Sequence, residues 1–264
     1  MREPVKLRNP STAMTKFEDT AWAQAGNCHD YQDEADHVVV ERQTLFRIVG
    51  SFYRKFLGVG QGHRVLDLGC GDGVMGGTLR AMDNSIQLIA VDGSPDMIAA
   101  ARQRLGDCPS MECRVLTFQE ILAQDPCWTK LDLVMSAFAI HHLDRPEKAA
   151  LFGKIHAMLR AGGYFINVDV LLPQSRVYED WFYELWTEWI AERQRRLGLA
   201  EDFSHVPAQS RARPENKFED LESHLGLLRQ AGFGEVECFY RYGLFGVCGG
   251  RKIAPASVQG RRSG

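Results

Sequence analysis

The chain has 264 residues, of which 45% are hydrophobic and 25% charged, and its formal net charge is -3. These totals suit one α/β domain with additional segments, or two small domains. The core can be large enough to be stable without disulfide bonds. The near-neutral charge gives no general nucleic-acid signature, and no apolar stretch approaches the roughly 18 residues of a membrane span. Since the polar N-terminus also lacks an apolar signal region, we expect a soluble, cytoplasmic protein.

Cysteine usage points to a reduced interior. The seven cysteines are an odd number, are scattered along the chain, and include no Cys-x-x-Cys pair. A disulfide framework or a structural zinc site is therefore not expected. We predict buried free thiols and no metal.

The first predicted elements lead to a glycine-rich turn. Residues 1–16 are polar and interrupted by prolines, so we expect them to be disordered. Apolar residues recur every three or four positions over 33–57, which predicts a helix. Arg64–Leu68 is an apolar run that predicts a buried strand. It ends at three glycines on alternate positions: Gly69, Gly71 and Gly73. Because glycine has no Cβ, such a turn lets backbone amides approach a ligand.

A second strand, Gln87–Val91, leads to Asp92, whose carboxylate could accept both hydroxyls of a ribose. Ser94-Pro95-Asp96 then predicts a helix start, because serine caps the N-terminus and proline suits the first helical position. Two successive strand–turn–helix units predict a parallel sheet with right-handed crossovers.

Apolar runs and turn residues predict the later elements. The predicted strands are Glu112–Leu116, Leu131–Met135, Tyr164–Val170, Glu235–Tyr242 and Leu244–Cys248, and the predicted helices are Val74–Met82, Pro146–Leu159 and Phe218–Ala231. The last two strands are joined so tightly at Gly243 that they should pair antiparallel.

An insertion at about 173–217 separates the fifth strand from the closing hairpin. Ser175–Leu197 predicts a helix with a broad aromatic face, and Leu199–Lys217 predicts a loop. The aromatic face could cover an apolar substrate, pack on the sheet, or form a homodimer contact. We therefore expect one domain at 17–252, followed by a flexible tail at 253–264.

The glycine turn has two interpretations. Gly71-x-Gly73-x-x-Gly76 spells the fingerprint of dinucleotide-binding enzymes, and Asp92 is near its acidic position. In that fingerprint the first glycine, here Gly71, should stand where the strand ends. In this sequence the glycine at the strand end is Gly69. The longer Asp67-x-Gly69-x-Gly71-x-Gly73 resembles motif I of the class I S-adenosylmethionine (SAM)-dependent methyltransferases.

Other stretches resemble the small-molecule branch of the same family (methyltransferase type 11/12-like). They are Ser94-Pro95-Asp96-Met97, Leu131-Asp132-Leu133-Val134, His141-His142-Leu143, Leu159-Arg160-Ala161-Gly162-Gly163 and Leu228-Arg229-Gln230-Ala231-Gly232-Phe233. The resemblance implies a Rossmann-like, doubly wound, mostly parallel seven-stranded sheet with an antiparallel terminal hairpin and a helical lid insertion.

The resemblance also implies a SAM site. The glycine turn would hold the methionine part, Asp67 would orient that turn, and Asp92 would take the ribose. The adenine would lie between side chains after strands two and three, where Gln119 stands in for the family's usual acid. The implied cofactor-binding residues are Tyr31, Asp67, Gly69, Cys70, Gly71, Gly73, Asp92, Gly93, Met97, Phe118, Gln119, Ala137 and Phe138.

Candidates for catalysis and acceptor binding follow the later strands. His141 and His142 could act as a general base, or one of them could hold the loop backbone. Asp169, late in strand five, could contact the acceptor or cap the next turn. The candidates from the insertion helix are Tyr178, Trp181 and Trp186.

These expectations converge on methyl transfer from SAM to an oxygen, nitrogen or carbon atom of a small molecule. The alternatives are a tRNA-modifying enzyme that uses SAM or a modified SAM, a non-catalytic SAM-binding scaffold, and an NAD-dependent oxidoreductase. Arginines of the insertion could bind RNA or an anionic acceptor, although a solvated helix face explains them more simply.

Overall fold

The computed structural model describes residues 17–20, 23, 34–106, 108–125 and 128–254. The expectations for residues 1–16, for Tyr31 and for the tail beyond 254 lie outside the described residues. Within the described ranges, no helix has both the length and the apolar character that crossing a bilayer requires.

Helices and strands alternate along the chain up to the insertion. The helices are α1 Arg42–Phe56, α2 Val74–Met82, α3 Pro95–Leu105, α4 Phe118–Ala123, α5 Arg145–Met158, α6 Arg176–Leu197, α7 Val206–Ala212 and α8 Leu221–Gln230. The strands are β1 Arg64–Leu68, β2 Gln87–Asp92, β3 Met111–Val115, β4 Leu131–Ala137, β5 Leu159–Leu172, β6 Glu219–Asp220, β7 Gly234–Tyr242 and β8 Phe245–Arg251.

The strands form one mostly parallel sheet in the order β3-β2-β1-β4-β5-β8-β7. β1 to β5 pair in parallel, and β8 pairs antiparallel with both β5 and β7. The predicted doubly wound sheet and its terminal hairpin are confirmed. In the described part of the chain an eighth strand, the two-residue β6, pairs with β5. Because the strand order reverses between β1 and β4, their carboxyl ends open a crevice at one edge of the sheet.

Apolar layers cover both faces of the sheet, which explains why the central strands are apolar almost throughout. One layer joins α1, α2 and α6 to the sheet, with Leu45 and Tyr183 among its members. The other joins α5 and α8 to it, with Phe152 and Leu228. Trp186 on α6 is 5% exposed and donates its indole N–H to the Val38 carbonyl at 2.7 Å. The inner face of the insertion helix is therefore part of the core.

Two segments differ from the sequence expectation. The helix predicted over 33–57 is interrupted before Arg42, because Glu41 adopts a left-handed backbone conformation with φ of 53°. The second half of the insertion, predicted as a loop over Leu199–Lys217, contains α7, which has a proline in its first turn. β6 occupies the start of the helix predicted over Phe218–Ala231, so that α8 begins only at Leu221. Asp220 then caps α8 by accepting a hydrogen bond from the Ser223 amide.

The turn between β1 and α2 is pressed against the loop that follows β4. Gly69 and Gly71 have φ of 65° and 53°, a region that residues with a Cβ rarely adopt. A Cβ on Gly69 would lie 2.3 Å from the Cβ of Ala139, whereas the nearest neighbour of a Cβ on Gly71 would be the Met97 sulfur at 3.9 Å. The two glycines therefore share a backbone constraint, but only Gly69 has a packing constraint as well.

This difference predicts unequal effects of alanine at the two positions. Gly71→Ala should lower the free energy of unfolding by about 1 kcal/mol, the cost of a left-handed backbone. Gly69→Ala should lower it by about 2 kcal/mol more, because its methyl group overlaps Ala139. Urea unfolding of both variants measures the difference, and equal losses would contradict the close approach.

Tyr53 fixes α1 to the end of α2. Its side chain is fully buried, and its hydroxyl donates a hydrogen bond to the Asp83 carboxylate at 2.6 Å. Tyr53→Phe should lower the free energy of unfolding by about 1 kcal/mol, because the ring remains while the bond is lost. Tyr164→Phe is the matched control, since the Tyr164 hydroxyl has no hydrogen bond to the described residues. Equal losses in the free energy of unfolding for Tyr53→Phe and Tyr164→Phe, measured by thermal or urea unfolding, would contradict this role.

Candidate active site

A cavity opens at the carboxyl ends of β1, β2 and β4, in the crevice where the strand order reverses. Most of the residues that the sequence implicates in cofactor binding line it. They are Asp67, Gly69, Cys70, Gly71, Asp92, Gly93, Met97, Phe118, Gln119, Ala137 and Phe138. Gly73 does not line the cavity; it precedes α2 as the N-cap residue.

Asp67 connects β1 to α2. Its carboxylate is 1% exposed and accepts a hydrogen bond from the Gly76 amide at 3.1 Å. A Cβ on Gly76 would lie 3.1 Å from that carboxylate and 2.7 Å from Leu88, which accounts for a glycine inside a helix. Burial raises the pKa of Asp67 to about 7, with the hydrogen bond from Gly76 acting in the opposite direction. Asp67 can therefore change its charge near neutral pH.

Asp92 holds the two turns that flank it. One carboxylate oxygen accepts from the Gly71 amide and the other from the Ser94 amide, both at 2.9 Å. Burial raises the pKa of Asp92, and these two hydrogen bonds partly offset the shift. The carboxylate thus organises the glycine turn and the start of α3 while it lines the cavity.

The charged residues that line the cavity are mainly acidic. Asp67 and Asp92 are joined by Asp72, whose carboxylate pairs with Arg104 at 2.6 Å. Among the described residues, Arg42 is the only lysine or arginine lining the cavity. Neither Asp72 nor Arg42 was among the site residues expected from the sequence. Asp72 lies within the glycine motif, whereas nothing in the pattern of α1 marks Arg42.

The wall after β3 is the first turn of α4, a helix that the sequence analysis did not predict. Thr117 and Glu120 form a capping box, each side chain bonding the other's backbone amide. The Thr-x-x-Glu pattern is the sequence signal from which the start of this helix could have been predicted. The turn sets Phe118 near Gly69 and lets Gln119 line the cavity while its amide nitrogen donates to Glu147 at 3.3 Å.

The two candidate histidines lie side by side, with ring centroids 4.2 Å apart. His142 lines the cavity, whereas His141 lies behind it and bonds the buried Asp169 carboxylate through Nδ1 at 2.5 Å. Burial raises the pKa of Asp169, but the charge and hydrogen bond of His141 outweigh it and hold that pKa below its ordinary value. Asn167 also donates to Asp169, at 3.2 Å.

His142 is neutral at physiological pH. Burial, reinforced by His141, lowers the pKa of His142 to about 3. Protonating it at pH 7 would therefore cost about 5 kcal/mol, four pKa units at 1.36 kcal/mol each. His142 is a weak base in this state, but its neutral ring can donate or accept a hydrogen bond.

A strap of chain from the insertion, residues 215–219, packs against this histidine pair. The Lys217 amide donates to the His141 carbonyl at 2.7 Å, and His142 Nδ1 lies 3.4 Å from the Glu215 carbonyl. The buried Lys148 ammonium donates to the Lys217 carbonyl. The strap thus connects the insertion to the rim of the cavity.

The residues predicted to bind the acceptor do not line the cavity. Asp169 is buried behind it, and Trp186 belongs to the core, with its indole N–H satisfied by the Val38 carbonyl. Tyr178 and Trp181 lie on the outer side of α6 and are 57% and 51% exposed. Phe17 and Thr20 line the cavity instead, so described residues from the N-terminal part cover it.

Comparison with known proteins supports this geometry. Residues 65–163 match a family model described as a methyltransferase domain. A carboxy-S-adenosyl-L-methionine synthase of Chromohalobacter salexigens is 27% identical over 188 residues, which cover 69% of this chain and 65% of that protein. The synthase of the same name from Actinobacillus pleuropneumoniae is 25% identical over 224 residues, which cover 82% of this chain and 87% of the relative.

Solved structures share the fold at low identity. An O-methyltransferase family protein from Burkholderia thailandensis matches with a TM-score of 0.62 and 14% identity, over 90% of this chain and 63% of that one. The SAM-dependent methyltransferase SibL matches with a TM-score of 0.56 and 17% identity, over 80% of this chain and 55% of SibL. The chain thus spans less than two thirds of these solved chains. Residues 65–163 are thus similar to a methyltransferase domain, and the chain shares the fold of these solved methyltransferases.

Proposed function

We propose that the cavity binds SAM and that the enzyme transfers the methyl group to a small-molecule acceptor. The charge balance of the cavity carries this proposal. Three carboxylates and one guanidinium line it, and the methionine part of SAM bears two positive charges, sulfonium and ammonium, and one carboxylate. NAD would instead bring a doubly negative pyrophosphate to the turn where Asp67 and Asp72 are buried.

Different residues would contact different parts of the cofactor. Gly69, Cys70 and Gly71 would hold the methionine part of SAM, and Asp67 would orient that turn. Arg42 would balance the carboxylate of the methionine part. Asp92 would exchange its hydrogen bonds to the turns for the ribose hydroxyls. Met97 and Phe118 would flank the adenine, and Ala137 and Phe138 would face the sulfonium.

When bound, SAM supplies an electrophilic methyl group. The protein must align the acceptor with it and exclude water. His142 lines this end of the cavity and is suited to orient the acceptor through a hydrogen bond. Because its pKa is low, we infer that the acceptor atom arrives unprotonated or loses its proton to another group. His141 and Asp169 then act by fixing the position of His142.

The relatives suggest a second candidate function. Both reported relatives are named carboxy-S-adenosyl-L-methionine synthases, so the formation of carboxylated SAM from SAM and a carboxyl-donating co-substrate is a candidate here. Arg42, a cation lining the cavity, could balance the added charge. Mass spectrometry of the cofactor released after incubation distinguishes the two: methyl transfer yields S-adenosylhomocysteine, whereas the synthase reaction yields carboxylated SAM.

Calorimetric titration with SAM, S-adenosylhomocysteine and NAD tests the cofactor. We expect binding of the two adenosyl ligands and at least tenfold weaker binding in Asp92→Ala, which loses the ribose acceptors. Asp96→Ala is the matched control, because this exposed acid lies four residues later, in the first turn of α3, and does not line the cavity. Preference for NAD, or equal losses in both variants, would contradict the proposal.

The pKa of Asp67 predicts pH-dependent SAM binding. Asp67 is mostly protonated below about pH 7 and ionised above it, and the cationic cofactor favours the ionised form. The affinity for SAM should therefore rise about tenfold between pH 6 and pH 8, as the ionised fraction grows. Titration of Asp67→Asn over the same range should lack this component. If the variant retains the full pH dependence, Asp67 is not its source.

A further inference from the structure

A second, polar pocket lies between the start of α1 and the end of α6, directly beside the cofactor cavity. Arg42 lines both, so its side chain forms part of the wall between them. Four arginines and two acids line the polar pocket: Arg42, Arg47, Arg193, Arg196, Asp36 and Glu41. The pocket therefore has an excess of positive charge.

Both acids already have partners. Asp36 accepts from the Arg42 guanidinium at 2.6 Å. One oxygen of Glu41 accepts from the Thr44 hydroxyl at 2.7 Å, and the other lies 3.4 Å from the Trp189 indole nitrogen. Arg42 thus offsets the charge of Asp36, whereas Glu41 bonds neutral groups and keeps its charge, which leaves three arginines facing one carboxylate.

Arg47 and Arg196 carry that excess. Arg193 donates to the Asp36 carbonyl at 3.0 Å and lies over the Trp189 ring. Arg47 is exposed, and its one hydrogen bond within the described residues is to the neutral Thr44 hydroxyl at 2.8 Å. Arg196 is exposed and has no partner among the described residues. Two guanidinium groups from different helices thus line one pocket, and neither forms an ion pair with a described residue.

We propose that this pocket binds a phosphate group of the acceptor, with Arg47 and Arg196 as its contacts. The inference rests on the proposed methyl transfer and names the class of acceptor. Guanidinium groups match phosphate oxygens in geometry and form charge-assisted hydrogen bonds with them. Because Arg42 lines both the pocket and the cavity, the two are adjacent, and an acceptor that reaches across Arg42 would place its phosphate here and its reactive atom beside the cofactor.

The neighbouring Arg195 provides a contrast within the same helical turn. It is exposed, donates to the Ala191 carbonyl of its own helix, and does not line the pocket. Acids such as Glu188 and Glu192 offset the positive charge of the arginines along the rest of α6. A solvated helix face therefore accounts for Arg195, whereas Arg196 shares a pocket with α1. This arrangement favours a discrete phosphate site over an extended RNA-binding surface.

The test is calorimetric titration of the full chain with inorganic pyrophosphate at low ionic strength, in the presence of S-adenosylhomocysteine. We expect binding that weakens about fivefold in Arg47→Gln and in Arg196→Gln, as each removes one half-exposed ionic contact. Arg195→Gln, the matched control from the last turn of α6, should bind pyrophosphate like the unmodified protein. Added salt should weaken the binding.

Three outcomes would overturn the inference: no pyrophosphate binding, equal weakening by Arg195→Gln, or tight binding of a short oligoribonucleotide that all three substitutions weaken alike. Titration of the same proteins with S-adenosylhomocysteine alone separates this failure from that of the proposed function. The exposed substitutions should leave cofactor binding unchanged. If the unmodified protein does not bind S-adenosylhomocysteine, the cofactor assignment itself fails.

Discussion

Two carboxylates, the buried Asp67 and the partly buried Asp92, hold the turn between β1 and α2, and the rest of the site depends on them. Asp92 accepts from the Gly71 amide, and Asp67 accepts from the Gly76 amide. Removing a carboxylate from water costs several kcal/mol unless hydrogen bonds replace the lost hydration. The backbone amides of the turn provide that replacement, so the acids and the turn stabilise each other.

The parts of the fold that local pattern determines were predicted from the sequence. Strands β1 and β2 are continuous apolar runs, and α3 begins at a serine cap with a proline after it. The cofactor side of the cavity follows from these elements, because its residues sit at strand ends that the sheet brings to one edge. The positions of Asp67, Gly69 and Asp92 in the site could therefore be predicted from the sequence.

The parts that depend on packing between distant segments were not predicted. Arg42 reaches the cavity only because α1 begins there, after the left-handed Glu41 interrupts the preceding helix. Trp186 shares an aromatic face with Tyr178, yet one is core and the other exposed. The sequence showed the face but not which edge of it the sheet would cover. The two adjacent histidines were visible in the sequence, but the low pKa of His142 arises from burial, which no local pattern encodes.

The strap at 215–219 has a consequence for the order of folding. The contact between Gly71 and Asp92 joins residues 21 apart in sequence, whereas the strap joins Glu215 to His142 across 73 residues and Lys217 to Lys148 across 69. Closing the longer loops costs more chain entropy and depends on the sheet already being formed. The half of the molecule that carries the glycine turn can therefore form first. The rim of the cavity at the strap should form last and open most readily in the native state.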